Sequence, residues 1–167
     1  KVLEELSKEF QYIVCDSPAG IEKGANLALY FADDAFVVTN PEISSVRDSD
    51  RMLGILSSKS RRAERNEEPI KEYLLLTRYD AQRVKSGEML GLDDVQEILS
   101  LELLGIIPES KSVLSASNAG VPVILDEKSE AGQAYSDVVA RYLGEKRPHR
   151  FIDGKQSFLK RLFGGRS

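Results

Sequence analysis

The fold class turns on residues 12–20, Tyr12-Ile13-Val14-Cys15-Asp16-Ser17-Pro18-Ala19-Gly20. An unbroken run of apolar and β-prone residues ends in an aspartate and passes at once into small turn residues. Strands at the centre of a parallel sheet carry helices on both faces, so they read as continuous apolar runs. Residues 12–15 are therefore expected to form such a strand. Its terminal acid sits where open α/β sheets place their ligands. The backbone from Ser17 to Gly20 is the kind of turn that approaches a phosphate closely. An acid at a strand end beside a glycine-bearing loop is the metal-and-switch half of a nucleotide site. The complementary half, a loop of the form G-x-x-x-x-G-K-[ST], has no match in the sequence, which opens at Lys1. The expectation is the rear part of a nucleotide-binding protein. An aspartate in this position is also explained as a helix cap or turn former. The response-regulator fold places a phosphoryl-accepting aspartate at the same point.

The 167 residues suffice for one domain with a real core, and 41% hydrophobic with 30% charged is ordinary for a soluble globular chain. No apolar run approaches the roughly 20 residues of a membrane-spanning helix; the longest candidate, 27–38, is broken by Asp33 and Asp34. One cysteine excludes an internal disulfide framework and suits the cytosol. Cys15 is expected as a small core residue of the first strand. With His149 as the single histidine, a dedicated zinc site is not expected. The net charge of −4 is unevenly spread: residues 145–167 carry +5 and the remainder −9. An acidic body with a basic tail points to an anionic surface as the tail's partner and argues against broad DNA binding.

Along the chain, residues 1–9 read as a helix end and 24–31 as a short helix. Residues 35–39 read as a second buried strand, with Asn40-Pro41 as its turn. A helix is expected over 46–58, capped by Ser44 or Ser45. Residues 59–69 are polar and read as an exposed loop or frayed helix end. Residues 73–76 form a third strand running into Thr77-Arg78, and 92–99 a helix. Residues 103–107 form a fourth strand stopped by Pro108, and 110–118 a helix ended by Gly120. Residues 121–125 are expected to be extended and 131–143 to be the last long helix. Strands alternating with helices imply an α/β, doubly wound, mostly parallel sheet with right-handed crossovers.

The tail has its own physical reading. Phe158, Leu159, Leu162 and Phe163 fall on one stripe of a helix, flanked by Lys155, Lys160 and Arg161. Following the breaker-rich stretch Arg147-Pro148-His149 and Asp153-Gly154, this pattern favours an interfacial helix over core packing. Each basic residue near an anionic membrane adds about 1 kcal/mol. Each large apolar group adds roughly 1.5–3 kcal/mol if fully buried. Ordering about ten residues offsets much of this, so one tail is marginal and two held together bind far more tightly.

Longer strings carry a resemblance. They are D-S-P-A-G-I-E at 16–22, L-Y-F-A-D-D-A at 29–35, T-N-P-E-I-S-S-V-R-D-S-D-R at 39–51 and L-L-L-T-R-Y at 74–79. G-I-I-P-E at 105–109, S-V-L-S-A-S-N-A-G at 112–120 and F-L-K-R-L-F-G-G at 158–165 complete them. Together they resemble the MinD branch of the deviant Walker A ATPases, across essentially the entire chain. The resemblance implies a P-loop NTPase type of sheet whose first strand and phosphate-binding loop lie before Lys1. It implies that residues 1–144 are the C-terminal part of the ATPase domain, 145–154 a linker and 155–165 an amphipathic membrane-targeting helix.

It further implies ATP and Mg²⁺ as cofactors, with Asp16 as the acid that holds Mg²⁺ through a water. Gly20 would offer its backbone N–H to the γ-phosphate as a catalytic switch. Thr77, Arg78, Pro108 and Glu109 would lie near the adenine, and Glu42 would reach the nucleotide across an ATP-dependent homodimer. Ser44, Arg47, Asp48 and Asp50 match the surface where family members engage a division inhibitor and a topological-specificity regulator. Lys155, Phe158, Leu159, Lys160, Arg161, Leu162 and Phe163 would meet anionic membrane lipids. The implied location is cytoplasmic, peripheral on the inner face of the cell membrane, with no nucleic acid as partner. Without the lysine and threonine of the upstream loop, this chain alone is expected not to hydrolyse ATP, and an unpaired central strand edge invites aggregation. The competing readings are a ParA-like segregation ATPase and, for this chain alone, an inactive membrane-anchored interaction module.

Overall fold

The computed structural model describes residues 2–17 and 29–152. Three strands, β1 (Asp34–Thr39), β2 (Lys71–Tyr79) and β3 (Glu102–Pro108), pair in parallel in the order β1-β2-β3. All three are the apolar runs anticipated from the sequence. Parallel neighbours need crossovers, and helices supply them. Between β1 and β2 lie α2 (Ile43–Lys59) and the single turn α3 (Arg61–Glu64). Between β2 and β3 lie α4 (Ala81–Ser86) and α5 (Leu92–Leu99). A short helix α1 (Val2–Leu6) precedes the sheet; α6 (Lys111–Asn118), a 3₁₀ turn (Val123–Leu125) and α7 (Glu130–Tyr142) follow it.

The alternation of side chains along the strands divides the core into two layers. Leu74, Leu76 and Ile106 point to one face and meet Val46 of α2, Val84 of α4, and Val95 and Leu99 of α5. Leu75, Leu104 and Ile107 point to the other and meet Ala131, Ala134 and Val138 of α7. The pairing of β2 with β3 slips by one residue, since Leu74 faces Leu103 but Leu75 faces Gly105. The extra residue, Leu104, joins the α7-side cluster, and Gly105 lies directly beneath α7: a Cβ there would collide with Val138 Cγ2 and crowd Arg141 and Leu75. Glycine at 105 is what lets the last helix approach the sheet.

Several expectations need correction. Residues 12–17 form no strand: they carry no regular structure, none of the three strands pairs with them, and Tyr12 and Val14 are 55% and 88% exposed. A parallel strand exists only through its neighbours, and β1, β2 and β3 take their pairing from one another. Cys15 is accordingly exposed and not a core residue. The anchor seen for this segment is an edge-on ring contact from Tyr12 to Tyr142, whose ring also meets Phe36 and Tyr73 edge-on. The Tyr142 hydroxyl donates to Asp34 Oδ2 at 3.0 Å, and burial followed by that bond pushes its pKa up to about 12.

Helix α2 starts earlier than expected, at Ile43 after Glu42, so Ser44 and Ser45 lie inside the first turn and cap nothing. Residues 121–125 curl into a 3₁₀ turn instead of running extended. Helix α4 was not anticipated: Asp80 accepts from the amides of Gln82 and Arg83, and Gly87 closes the helix at φ +79°. The anticipated helix over 24–31 lies largely outside the described residues.

Gly105→Ala is expected to lower unfolding free energy by about 1–3 kcal/mol, the usual range for overpacking a filled core. Adding Val138→Ala should recover part of that loss, and chemical denaturation of the two variants measures the coupling.

Candidate functional site

In an open parallel sheet every strand delivers its last residue to the same edge, and ligands bind there. The C-terminal ends of β1, β2 and β3 bring together the turn Asn40-Pro41-Glu42, the pair Thr77-Arg78 and the pair Pro108-Glu109. Five of the expected site residues, Glu42, Thr77, Arg78, Pro108 and Glu109, thus converge from three separate segments.

Local geometry explains how they are held. Thr77 Oγ1 donates to Asn40 Oδ1 at 2.9 Å and lies 3.3 Å from the Thr39 carbonyl, tying the end of β2 to the end of β1. Between Leu76 and Tyr79 the pairing with β3 slips again, because Leu76 faces Ile106 while Tyr79 faces Pro108. The surplus residue lies on β2, and Arg78 absorbs it with φ +55°, the left-handed region that an arginine seldom enters. A bulge of this kind redirects a side chain at the rim of a sheet. Here Arg78 Nε donates to Glu109 Oε2 at 2.9 Å, while the Glu109 amide donates to the Tyr79 carbonyl at 2.9 Å. The hydrogen bond to Glu109 chiefly raises the guanidinium pKa, with Glu42 adding to the effect from the β1 side. Both partners are largely exposed, so the pair orients Arg78 more than it stabilises the fold.

The remaining predicted residues fall elsewhere. Asp16 is exposed in the irregular segment, and among the described residues no hydrogen bond or ion pair joins it to the strand-end cluster. Gly20 and the tail residues Lys155, Phe158, Leu159, Lys160, Arg161, Leu162 and Phe163 lie outside the described residues. Ser44, Arg47, Asp48 and Asp50 are all exposed on the first turns of α2, immediately after the β1 turn. Asp48 accepts from Arg51 Nη1 at 3.3 Å along the same face. The partner residue missed by sequence reading is Asn40. Its string T-N-P-E marked it as a turn, but its bond to Thr77 joins residues 37 apart and has no local signature.

Thr77, Arg78 and Glu109 offer a hydroxyl, a cation and a carboxylate on a rim that backbone bulging has opened. Mg²⁺ is usually bound by one or two carboxylates together with substrate phosphates, and the single acid Asp16 fits that pattern. Among the described residues no group of three or more acidic, histidine or cysteine side chains forms a closed metal cage. No helix among them is long and apolar enough to cross a membrane.

No protein-family model matches the chain. It is 66% identical to the septum site-determining protein MinD of Escherichia coli (strain K12), across 99% of this chain and 62% of that relative. The chain therefore spans somewhat under two thirds of its relative's length. A MinC:MinD cell division protein complex from Aquifex aeolicus contains a chain that superposes at a TM-score of 0.78 with 40% identity, covering 90% of this chain and 60% of that one. The septum site-determining protein MinD complexed with Mg-ADP from Pyrococcus horikoshii superposes at 0.66 with 25% identity, over 86% of this chain and 56% of that one. Over the span that it shares with them, the chain belongs to the MinD family of septum site-determining proteins.

Proposed function

We propose that this chain is part of a membrane-associated ATPase that dimerises with ATP and positions the bacterial division site by recruiting division regulators. The observation that carries the reading is the convergence of Glu42, Thr77, Arg78, Pro108 and Glu109 on one sheet edge of a MinD-family chain. In this reading Thr77, Arg78, Pro108 and Glu109 border the adenine, and the Arg78–Glu109 pair fixes the rim against which the base lies. Asp16 holds Mg²⁺ through a water, and Gly20 offers its amide to the γ-phosphate. Mg²⁺ held there would supply charge neutralisation for the phosphates. Glu42 reaches the nucleotide of a second copy across the dimer.

The first turns of α2 leave the same edge through Asn40-Pro41-Glu42. In this reading Ser44, Arg47, Asp48 and Asp50 report the state of the nucleotide edge to a partner. A MinD chain of similar structure occurs in a complex with MinC, and a division inhibitor is the partner proposed for this face, with a topological-specificity regulator as a competing one. The tail from Lys155 to Phe163 is the proposed contact with anionic lipid, on the inner face of the cell membrane. Two tails joined by nucleotide-dependent dimerisation would hold where one does not.

Three measurements test these assignments. In the longer protein that carries a phosphate-binding loop, Asp16→Ala should cut Mg²⁺-dependent ATP turnover by about a hundredfold or more, the order seen when a charge-stabilising group is lost. Wild-type turnover by a folded variant removes Asp16 from the metal. Replacing both Asp48 and Asp50 with alanine should weaken inhibitor binding about tenfold, equivalent to ~1.4 kcal/mol, with thermal unfolding unchanged. Unchanged affinity would return the face to ordinary solvated surface. A peptide of residues 154–165 should gain helicity on anionic vesicles and lose it with added salt. Glutamate at Leu162 and Phe163 should abolish binding, and a dimerised peptide should bind much more tightly than the monomer. Equal binding to neutral vesicles would eliminate the electrostatic half of the tail's role.

A further inference from the structure

Residues 145–152 follow α7 and are mostly polar as far as Arg150, yet most of their length is pinned to that helix. Arg141 of α7 donates from Nε to the Arg147 carbonyl at 3.0 Å and from Nη2 to the Pro148 carbonyl at 2.7 Å. Arg150 turns back and grips Asp137 side-on, with Nε–Oδ2 at 2.7 Å and Nη2–Oδ1 at 3.2 Å. Its Nη1 donates to Gln133 Oε1 at 2.6 Å. Asp137 is only 5% exposed, so this fork is a sheltered, charge-assisted contact and not a surface pair. Phe151 then packs against both core clusters.

Beneath this strap lies His149, half-buried in a small cavity lined by Ile106, Ala134, Asp137, Arg141, Arg150 and Phe151. Its Nδ1 is buried and has no hydrogen-bond partner. The neutral ring tolerates that arrangement with its proton on Nε2. The imidazolium must carry a proton on Nδ1 as well, where the structure provides no acceptor. The charged groups facing the ring are Arg141 and Asp137 from α7 and Arg150 from the strap itself; β3 contributes only the apolar Ile106 there. A second cation beside Arg141 and Arg150 would meet one carboxylate already engaged by Arg150.

We infer that Arg147–Phe151 is a proton-operated clasp, closed on α7 while His149 is neutral and opened when that ring is protonated. Burial, and then Arg141, hold the pKa of His149 below its ordinary value, with Asp137 pulling weakly the other way. The sign follows by linkage: a base with a lowered pKa in the closed form favours closure fully above the open-form pKa of about 6.5. That contribution is lost as pH falls from there through the closed-form pKa. The clasp ends three residues before Gly154, directly ahead of the basic, apolar sequence proposed to bind lipid. Its existence is independent of that reading, whereas its control of the tail's reach rests on it.

His149 is the only histidine, so its ring protons titrate without overlap in a proton NMR spectrum of the full chain. The midpoint should lie below about 6.5. Hydrogen-exchange protection of the Arg141 Nε–H, which donates to the Arg147 carbonyl in the closed clasp, corrected for its intrinsic rate, should fall across that same midpoint. The fall should equal tenfold for each unit separating the open and closed pKa values. His149→Gln should remove the pH dependence, and Asp137→Asn should lower protection at every pH. A midpoint at or above about 6.5, protection that stays flat through the titration, or an unchanged pH dependence in His149→Gln would each overturn the clasp. Repeating the titration with anionic vesicles separates the two claims. A clasp that opens without any change in vesicle binding defeats only the link to the tail.

Discussion

One guanidinium ties three parts of this molecule together: strand β3, helix α7 and the segment that follows it. Arg141 donates to the Leu104 carbonyl of β3 at 2.8 Å and, with its other nitrogens, to the carbonyls of Arg147 and Pro148. Leu104 is the surplus residue of the β3 irregularity, so its carbonyl falls outside the regular ladder and needs another donor. The same side chain thus satisfies the sheet, seats α7 over Gly105 and holds the following segment down. Burial lowers the Arg141 pKa, but a guanidinium starts so high that it remains the least easily neutralised cation for such a place.

The two irregularities of the β2–β3 pairing divide the labour. The first, at Leu104, serves packing, because it turns Leu104 and Gly105 toward α7. The second, at Thr77-Arg78, serves the strand-end rim, because it lifts Arg78 out of the ladder and onto Glu109. A regular sheet would continue alternating to its edge and leave Arg78 pointing along the strand's ordinary pleat. The Thr77–Asn40 bond then couples that rim to the turn from which α2 departs, so strand-end geometry and the exposed face of α2 are mechanically continuous.

Strands β1, β2 and β3 were legible because their signals are local: continuous apolar runs for buried parallel strands. The convergence of Glu42, Thr77, Arg78, Pro108 and Glu109 was legible at one remove, since strand ends of a parallel sheet share an edge whatever lies between them. Residues 12–15 misled for the opposite reason. Their composition suits a strand, but pairing is a property of neighbours, and Val14 is left exposed with none. Ser44 and Ser45 carried the right chemistry for a cap, yet the buried Pro41 and the bond from the Glu42 amide to the Asn40 carbonyl start the helix before them. The contacts of Arg141 and Arg150 were invisible because their acceptors are backbone carbonyls and a buried acid, selected by the folded path and by no motif.

The charge asymmetry of the chain gives the clasp a physical setting. A basic tail on an acidic body is drawn to anionic surfaces, and such a surface also gathers protons. At a surface potential of about −30 mV the local proton concentration rises about threefold, or roughly half a pH unit. A histidine buried beside Arg141 and Arg150 responds to a change of that direction by favouring the open form. On the proposed lipid contact, approach to lipid and release of the strap from α7 would reinforce each other, without any contact between the lipid and the strap itself. The body contributes the opposite bias: away from the surface, the neutral ring, the Arg150–Asp137 fork and the seat of Phe151 between the two core layers keep the strap folded against α7.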